Sequence, residues 1–300
     1  MYTNDGSGAA PALRCYFNLL AVNGLAGRGD WLEAIRAAGY DGAQFVQPLT
    51  AGQRAACERL GLGRAGGGRI NTPEEAPALA ARLKDEGMEC ATVHAGWGLE
   101  DDDEAFRLVE AILAAQERYR LPVYLETHRA TILQDMWRAV GVAKRFPALR
   151  FNIDVSHWYT GQEMVYGGFE KKLAFVEPVL ERGGFVHGRI GSPGCMQVDV
   201  GDGSGAGRPY VGHFRAMWER AFAGFLRHAG PGDYICFTPE LLAPEIYYGR
   251  VFPDAGGAMR EECDRWEQSL VLREVARDCF RAAAEAGGSS RRSVDSSQAG

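Results

Sequence analysis

The feature of this sequence that most constrains its fold is an apolar run that ends abruptly in ionisable side chains. Residues 122–125 are apolar or aromatic, and Glu126, Thr127, His128 and Arg129 follow directly. Three later apolar runs end in the same way, and their ionisable residues are Asp154 with His157, His187 with Arg189, and Glu240. In barrels of parallel strands, catalytic groups come from the carboxyl ends of several strands. The pattern therefore predicts a parallel α/β fold with a site at that end.

Candidate strands alternate with helical segments along most of the chain. The candidate strands are 15–20, 42–47, 89–94, 122–126, 150–154, 184–189, 196–200 and 233–237. Such alternation predicts a parallel sheet, and the chain length suits one closed (β/α)8 TIM barrel. We assign this single α/β domain to residues 13–286, with a flexible N-terminal tail at 1–12 and a disordered C-terminal tail at 287–300. The glycine-rich segment 61–68 is interpreted as a flexible connection.

An open, doubly wound sheet is the alternative to a closed barrel. It would need a dinucleotide-binding fingerprint at the first turn. The segment 23–29, Asn-Gly-Leu-Ala-Gly-Arg-Gly, lacks the GxGxxG spacing and the acidic residue expected after it. The closed barrel is therefore favoured.

The composition limits the partners and the compartment. The net charge of −6 argues against general binding to nucleic acid or to an acidic membrane. The seven Cys residues form no CxxC pair, which favours reduced thiols in the cytoplasm over a disulfide framework. We also expect no signal peptide and no membrane span, because neither pattern is present. A homo-oligomer is left open.

The ionisable strand ends together predict a metal site. Glu126, Asp154, His187 and Glu240 each follow a separate candidate strand, numbered four, five, six and eight in chain order. Three carboxylates and one imidazole that converge need a cation to balance their charge. Because this donor set is rich in oxygen, Mn²⁺ is the preferred cofactor, with Mg²⁺, Co²⁺ and Zn²⁺ as alternatives.

These strand ends resemble the xylose isomerase-like TIM barrel superfamily, also called the sugar phosphate isomerase/epimerase family, and in ligand order its ketose 3-epimerases. The resemblance rests on the D-x-x-H of Asp154 and His157, the H-x-R of His187 and Arg189, and the late Glu240. It implies that Glu126, Asp154, His187 and Glu240 bind one metal ion and that the two Glu residues act as the acid/base pair. It also implies substrate contacts for His157, Arg189 and His94. Trp97 is a candidate for stacking on a sugar ring, with core packing as the alternative.

The predicted function is therefore a divalent-metal-dependent isomerase or epimerase that acts on a keto-sugar or polyol by proton abstraction next to a carbonyl. A lyase, dehydratase or deglycosidase on a sugar-like substrate is the first alternative, since the same proton abstraction can expel a leaving group. An endonuclease four-like phosphodiesterase is disfavoured, because 199–201 reads Asp-Val-Gly and lacks the His of that family's D-x-H motif. A non-catalytic sugar-binding barrel is the third alternative. The sequence does not distinguish phosphorylated from free sugars.

Overall fold

Parallel strands close into a barrel in the computed structural model, which describes residues 1–23, 25 and 29–297, with side chains to Gly287. The barrel strands are β2 (Ala12–Asn18), β3 (Gly42–Phe45), β4 (Gly63–Ile70), β5 (Cys90–Ala95), β6 (Val123–Glu126), β7 (Phe151–Ile153), β8 (Gly183–Gly188) and β9 (Asp233–Pro239). Each strand pairs with the next in chain order, and β9 pairs with both β8 and β2. The predicted (β/α)8 barrel is confirmed.

Helices connect the strands and cover the outside of the barrel. They are α1 (Trp31–Ala37), α2 (Ala51–Leu60), α3 (Glu75–Asp85), α4 (Asp102–Tyr119), α5 (Met136–Arg145), α6 (Ser156–Gly161), α7 (Phe169–Leu180), α8 (Pro209–His228) and α9 (Arg265–Ser297). Short 3₁₀ turns lie at Leu19–Val22 and Pro244–Ile246. Local caps define several helix starts: Asp30 accepts the Leu32 N–H, and Asp101 forms a capping box with Glu104. None of the helices described is long and apolar enough to cross a membrane.

The prediction for the glycine-rich segment is wrong, because residues 63–70 form barrel strand β4. The glycines allow the strand to approach α3 closely. A Cβ on Gly66 would lie 2.6 Å from Leu83 Cδ2, and one on Gly68 would lie 2.9 Å from Leu79 Cδ1. Such distances leave no room for a side chain on this face of the strand. The glycine run therefore marks tight strand–helix packing rather than flexibility.

The predicted strand at 196–200 is also wrong. This segment is irregular and belongs to the long connection between β8 and α8. Its backbone is tied to the preceding residues by one bond, from the Val198 N–H to the Ile190 carbonyl. The two corrections add one strand and remove another, so the number of barrel strands is unchanged. The strands predicted as third to sixth are therefore the fourth to seventh. The four predicted metal ligands consequently belong to β6, β7, β8 and β9, which are consecutive in the barrel.

The N-terminal residues differ from the predicted flexible tail. Thr3 and Asn4 form a short strand, β1, that pairs antiparallel with β9. The Thr3 N–H donates to the Tyr124 hydroxyl at 2.8 Å, so the N-terminal residues contact the lower interior of the barrel. Above this contact, buried side chains fill the lower interior of the barrel: Tyr16, Ala65, Cys90, Tyr124, Phe185, Tyr234 and Cys236. The open space in the barrel interior thus lies at its carboxyl end.

The predicted disordered tail at 287–300 overlaps the C-terminal end of helix α9. The helix backbone is described to Ser297, while the side chains beyond Gly287 and residues 298–300 lie outside the described part. The disordered tail stays a prediction for these residues. We expect deletion of 288–300 to leave the melting temperature and activity unchanged, because the segment has few apolar groups to bury. A melting curve that shifts down by several degrees would instead show that the segment packs on the barrel.

Candidate metal centre

The four predicted ligands occupy equivalent positions at the carboxyl end of the barrel. Glu126 is the last residue of β6, Asp154 follows β7, His187 lies near the end of β8, and Glu240 follows β9. All four are buried, and Asp154 is fully enclosed. Since alternate residues of a strand face the same side, each side chain points into the barrel mouth. The local sequence thus delivers one ligand from each of four adjacent strands.

The donor atoms of these residues converge on one point. His187 Nδ1 lies 3.2 Å from Glu126 Oε2 and 3.4 Å from Glu240 Oε1. With Asp154 included, all four ligand atoms lie within 4.8 Å of one another. The two glutamates approach His187 from strands on either side of β8. The structure therefore brings together the whole ligand set that was predicted.

Gln44 fixes the orientation of the His187 ring. The Gln44 amide donates to Thr92 Oγ1 at 2.9 Å, so its carbonyl Oε1 faces His187 Nε2 at 3.1 Å. Asn18 Nδ2 donates to the same oxygen at 3.2 Å. His187 consequently carries a hydrogen on Nε2, and its Nδ1 faces the carboxylates. A ligating histidine normally donates its other N–H to an acceptor in this way.

Arg189 is the counter-ion of the cluster. Its Nη2 contacts Asp154 Oδ2 directly and lies 3.0 Å from Glu240 Oε2, while its Nε donates to Ser156 Oγ at 3.1 Å. Burial disfavours the charged form of Asp154, but Arg189 and His157 outweigh it and lower the carboxyl pKa. Asp154 is thereby kept ionised inside the protein. Each carboxylate oxygen has two lone pairs, so Asp154 can accept these bonds and still ligate a cation.

The two glutamates differ in acidity. Burial alone would raise the pKa of Glu126, but the adjacent His94 and His187 lower it overall. Burial raises the pKa of Glu240, and His187 and Arg189 offset this only in part. For His187 the two effects have opposite signs: burial lowers its pKa, but the carboxylates of Glu240 and Glu126 raise it to about 9. The cluster therefore has a strongly negative field that attracts positive charge.

This arrangement fits a divalent cation. Three buried carboxylates and one imidazole, which would ligate through Nδ1 once a cation displaces its proton, are a donor set suited to Mn²⁺, Mg²⁺ or Co²⁺. One divalent charge and the Arg189 guanidinium together balance the three carboxylates. The identity of the metal stays a prediction.

Three further histidines lie beside the cluster. His94 Nε2 is 3.1 Å from Glu126 Oε1, so His94 orients the carboxylate from the side away from His187. His157 Nε2 is 3.2 Å from Arg189 Nη2, and its ring packs 3.9 Å from the ring of His128. His157 thus lies behind the cluster, and the predicted substrate contacts of His157 and Arg189 stay predictions.

A cavity of about 260 Å³ opens beside the cluster. Its polar lining comes from Gln44, Arg69, Thr92, His94, Glu126, His128, His187, Glu240 and Tyr248. Trp97 is not part of this lining. Its side chain is 55% exposed and lies under the Arg69 guanidinium, 3.8 Å from the ring centroid. The predicted stacking of Trp97 on a sugar ring therefore has no support from its position.

Sequence reasoning missed several residues of this site. Gln44 lies within the otherwise apolar strand β3, and Asn18 ends β2 directly after the apolar residues 15–17; that contrast is a signal that could have identified them. Arg69 was hidden because its strand was interpreted as a flexible connection. Tyr248 comes from the long connection after β9, where no periodic pattern places a side chain.

Comparison with solved structures identifies the fold. A structure of L-ribulose 3-epimerase matches with a TM-score of 0.55 and 13% identity, over 92% of this chain and 97% of that chain. D-psicose 3-epimerase from Clostridium cellulolyticum H10 matches with a TM-score of 0.52 and 10% identity, over 89% and 99%. A xylose isomerase domain protein from Planctomyces limnophilus matches with a TM-score of 0.52 and 14% identity, over 92% and 99%. At 10–14% identity these similarities show the fold alone, and they agree with the predicted (β/α)8 barrel.

No protein-family model matches the chain, and no curated protein matches it. The activity is therefore argued from the geometry of the site.

Proposed function

We propose that this protein is a divalent-metal-dependent isomerase or epimerase of a keto-sugar or polyol. The observation that carries the proposal is the convergence of Glu126, Asp154, His187 and Glu240 within 4.8 Å, beside an open cavity. Two of the structurally similar proteins are 3-epimerases of ketoses, which supports the same reaction class.

Four residues of the chain would ligate the metal, and two of them would also carry a proton. Glu126, Asp154, His187 and Glu240 would hold the cation. When bound, the cation supplies Lewis-acid polarisation of a substrate carbonyl, which acidifies the neighbouring carbon-bound proton. Glu126, kept ionised by His94 and His187, is the group suited to remove that proton.

Glu240 is suited to return a proton from the other side. It lies on β9, three strands around the barrel from the β6 strand that carries Glu126. Both side chains line the cavity, so a substrate carbon between them would face one carboxylate on each side. Two proton carriers on opposite faces are what inversion of a stereocentre requires.

Arg189 is suited to stabilise the negative charge that forms on the substrate. The Arg189 guanidinium lies 4.7 Å from the ring of Tyr248, a cavity-lining residue. A fixed, buried positive charge at this position stabilises negative charge that develops on a substrate oxygen. Asp154 and Glu240 keep the guanidinium in place, so it need not reorganise during the reaction.

Product analysis tests the proposal. The protein loaded with Mn²⁺ is incubated with a panel of ketoses, and the products are separated by chromatography. A changed stereocentre or carbonyl position supports the proposal. Loss of water or of an aglycone would assign a lyase or deglycosidase instead, and no conversion of any ketose would contradict the proposed reaction class.

The role of Gln44 gives an independent prediction. Replacing Gln44 by Leu removes the acceptor for His187 Nε2–H, so we expect the affinity for Mn²⁺ to fall by about 10- to 100-fold. Gln44→Glu keeps an acceptor oxygen and should retain most of the affinity. Calorimetric titration of both variants measures the difference. Equal affinities for wild type and Gln44→Leu would show that His187 is not oriented in this way.

A further inference from the structure

We infer that the outer end of the cavity binds an anionic group of the substrate, a carboxylate or a phosphate, through Arg69. This inference rests on the proposed function, because it concerns the substrate of the same cavity. It is carried by the position, the fixation and the unpaired charge of the Arg69 guanidinium, each of which the described contacts establish.

The Arg69 side chain is positioned by strand β4. Arg69 pairs in register with His94 of β5, and both side chains line the cavity. The Arg69 Nη2 lies 3.2 Å from His94 Nδ1, and His94 in turn contacts Glu126. Only the His94 ring thus separates Arg69 from the predicted metal ligand Glu126. Arg69 would therefore lie beside the part of a substrate that is remote from the reacting carbon.

The guanidinium is held rigidly before any ligand binds. Its Nη1 donates to the carbonyls of Gly96 and Ala130. Its Cζ lies 3.8 Å from the centre of the Trp97 ring. A fixed guanidinium loses little freedom when it binds an oxyanion, and its planar donors suit carboxylate and phosphate groups.

The positive charge of Arg69 has no carboxylate partner among the described residues. The two acids that influence it most are engaged elsewhere: Glu100 accepts the backbone N–H groups of 97–99, and Glu126 contacts two histidines. A guanidinium has five N–H donors, and the contacts above use three of them. Two donors therefore remain for a ligand in the cavity.

The charge along the cavity favours an anion at this end. The deep end would be balanced, because Arg189 and a bound divalent cation would offset the three carboxylates. The outer end carries Arg69 and also the exposed Arg129, whose guanidinium lies 5.3 Å from the ring of Tyr248. An oxyanion here would gain charge-assisted hydrogen bonds from Arg69, and the two nearest acids, Glu100 and Glu126, already accept bonds from other donors.

Gly67 leaves room for a ligand between the two ends. It precedes Arg69 by two residues and therefore faces the same side of β4. Gly67 lines the cavity, and the three atoms nearest to a Cβ at this position would be Val46 Cγ1 at 3.3 Å, Val46 Cα at 3.7 Å and the Phe45 carbonyl oxygen at 3.8 Å. The chain of a substrate can thus pass over Gly67 from the metal cluster to Arg69.

Binding measurements with matched probes test the inference. The full chain is titrated with D-fructose, D-fructose 6-phosphate and D-fructuronate in the presence of Mn²⁺. We expect at least one charged probe to bind about tenfold or more tightly than D-fructose, as for a charge-assisted hydrogen bond. The charged probe that binds more tightly identifies the group as phosphate or carboxylate.

Variants separate Arg69 from general charge effects. Arg69→Gln should remove the preference for the charged probe and change D-fructose affinity less than about threefold, whereas Arg69→Lys should keep part of the preference. Arg64→Gln is the matched control, since Arg64 lies on the same strand but pairs with Glu58 away from the cavity. A melting curve for each variant confirms that it is folded.

Two results would overturn the inference: no preference for either charged probe in the wild type, or a preference that survives in Arg69→Gln. Failure of the proposed function gives a different result. In that case the Arg69-dependent preference is present, but no probe is converted to product.

Discussion

Glu126→Gln and Glu240→Gln are each expected to lower kcat by about 100-fold or more, with a much smaller loss of Mn²⁺ affinity. Each substitution keeps an oxygen that can ligate the metal but removes the group that carries a proton. Both side chains line the cavity and lie within 3.4 Å of His187 Nδ1. Initial rates with the ketose that the wild type converts, together with calorimetric metal titrations, measure the two effects separately.

Glu110→Gln is the matched control for these variants, because Glu110 is exposed on the outer helix α4 and is not among the residues that line the cavity. We expect its kcat to equal that of the wild type. If either cluster variant retains full turnover, that carboxylate is a metal ligand only. A parallel loss of turnover and metal affinity would likewise assign the effect to metal binding.

Asp154→Ala is expected to abolish tight binding of the metal. Asp154 is fully buried, and no other carboxylate of the described cluster can take its place, since Glu126 and Glu240 already supply their own donors. Wild-type stability should rise with metal by about 2.7 kcal/mol at a hundredfold excess over Kd, and the variant should show no such rise. Thermal or chemical unfolding with and without Mn²⁺ measures this difference.

The substitution also removes the main partner of Arg189, so the variant itself should be less stable than the wild type. Asp154→Asn keeps the shape and removes the charge, and it separates the two effects. Elemental analysis of both variants after purification completes the test. One equivalent of metal retained in Asp154→Ala would show that the cluster described here is not the metal centre.

The ligands could be predicted from sequence because their signal is local. An acidic or histidine residue directly after a buried apolar run is visible without a structure, as at Glu126 and Asp154. The carboxyl ends of parallel strands meet at one end of a barrel, so four such residues converge once the barrel is assumed. That geometric rule allowed the cluster to be predicted although three of its four strands were numbered wrongly.

Residues that depend on packing between elements could not be predicted in the same way. Strand β4 contains four glycines, a composition typical of loops, and only the close approach of α3 explains it. Because β4 was not recognised as a strand, the sequence did not indicate which way the Arg69 side chain points. The role of Gln44 depends on the pairing of its amide with Thr92 and His187, which lie on different strands. Such contacts between distant parts of the chain leave no periodic pattern in one sequence.

In the proposed mechanism the cluster removes a proton next to a carbonyl, and the protein returns one. Turnover of an accepted ketose by the metal-loaded wild type in deuterium oxide, followed by mass spectrometry and NMR, tests this mechanism. We expect one deuterium on the carbon beside the carbonyl in the product. Product that forms with no deuterium at that carbon would rule this mechanism out, because it would indicate a direct hydride shift between carbons with Glu126 and Glu240 acting only as metal ligands.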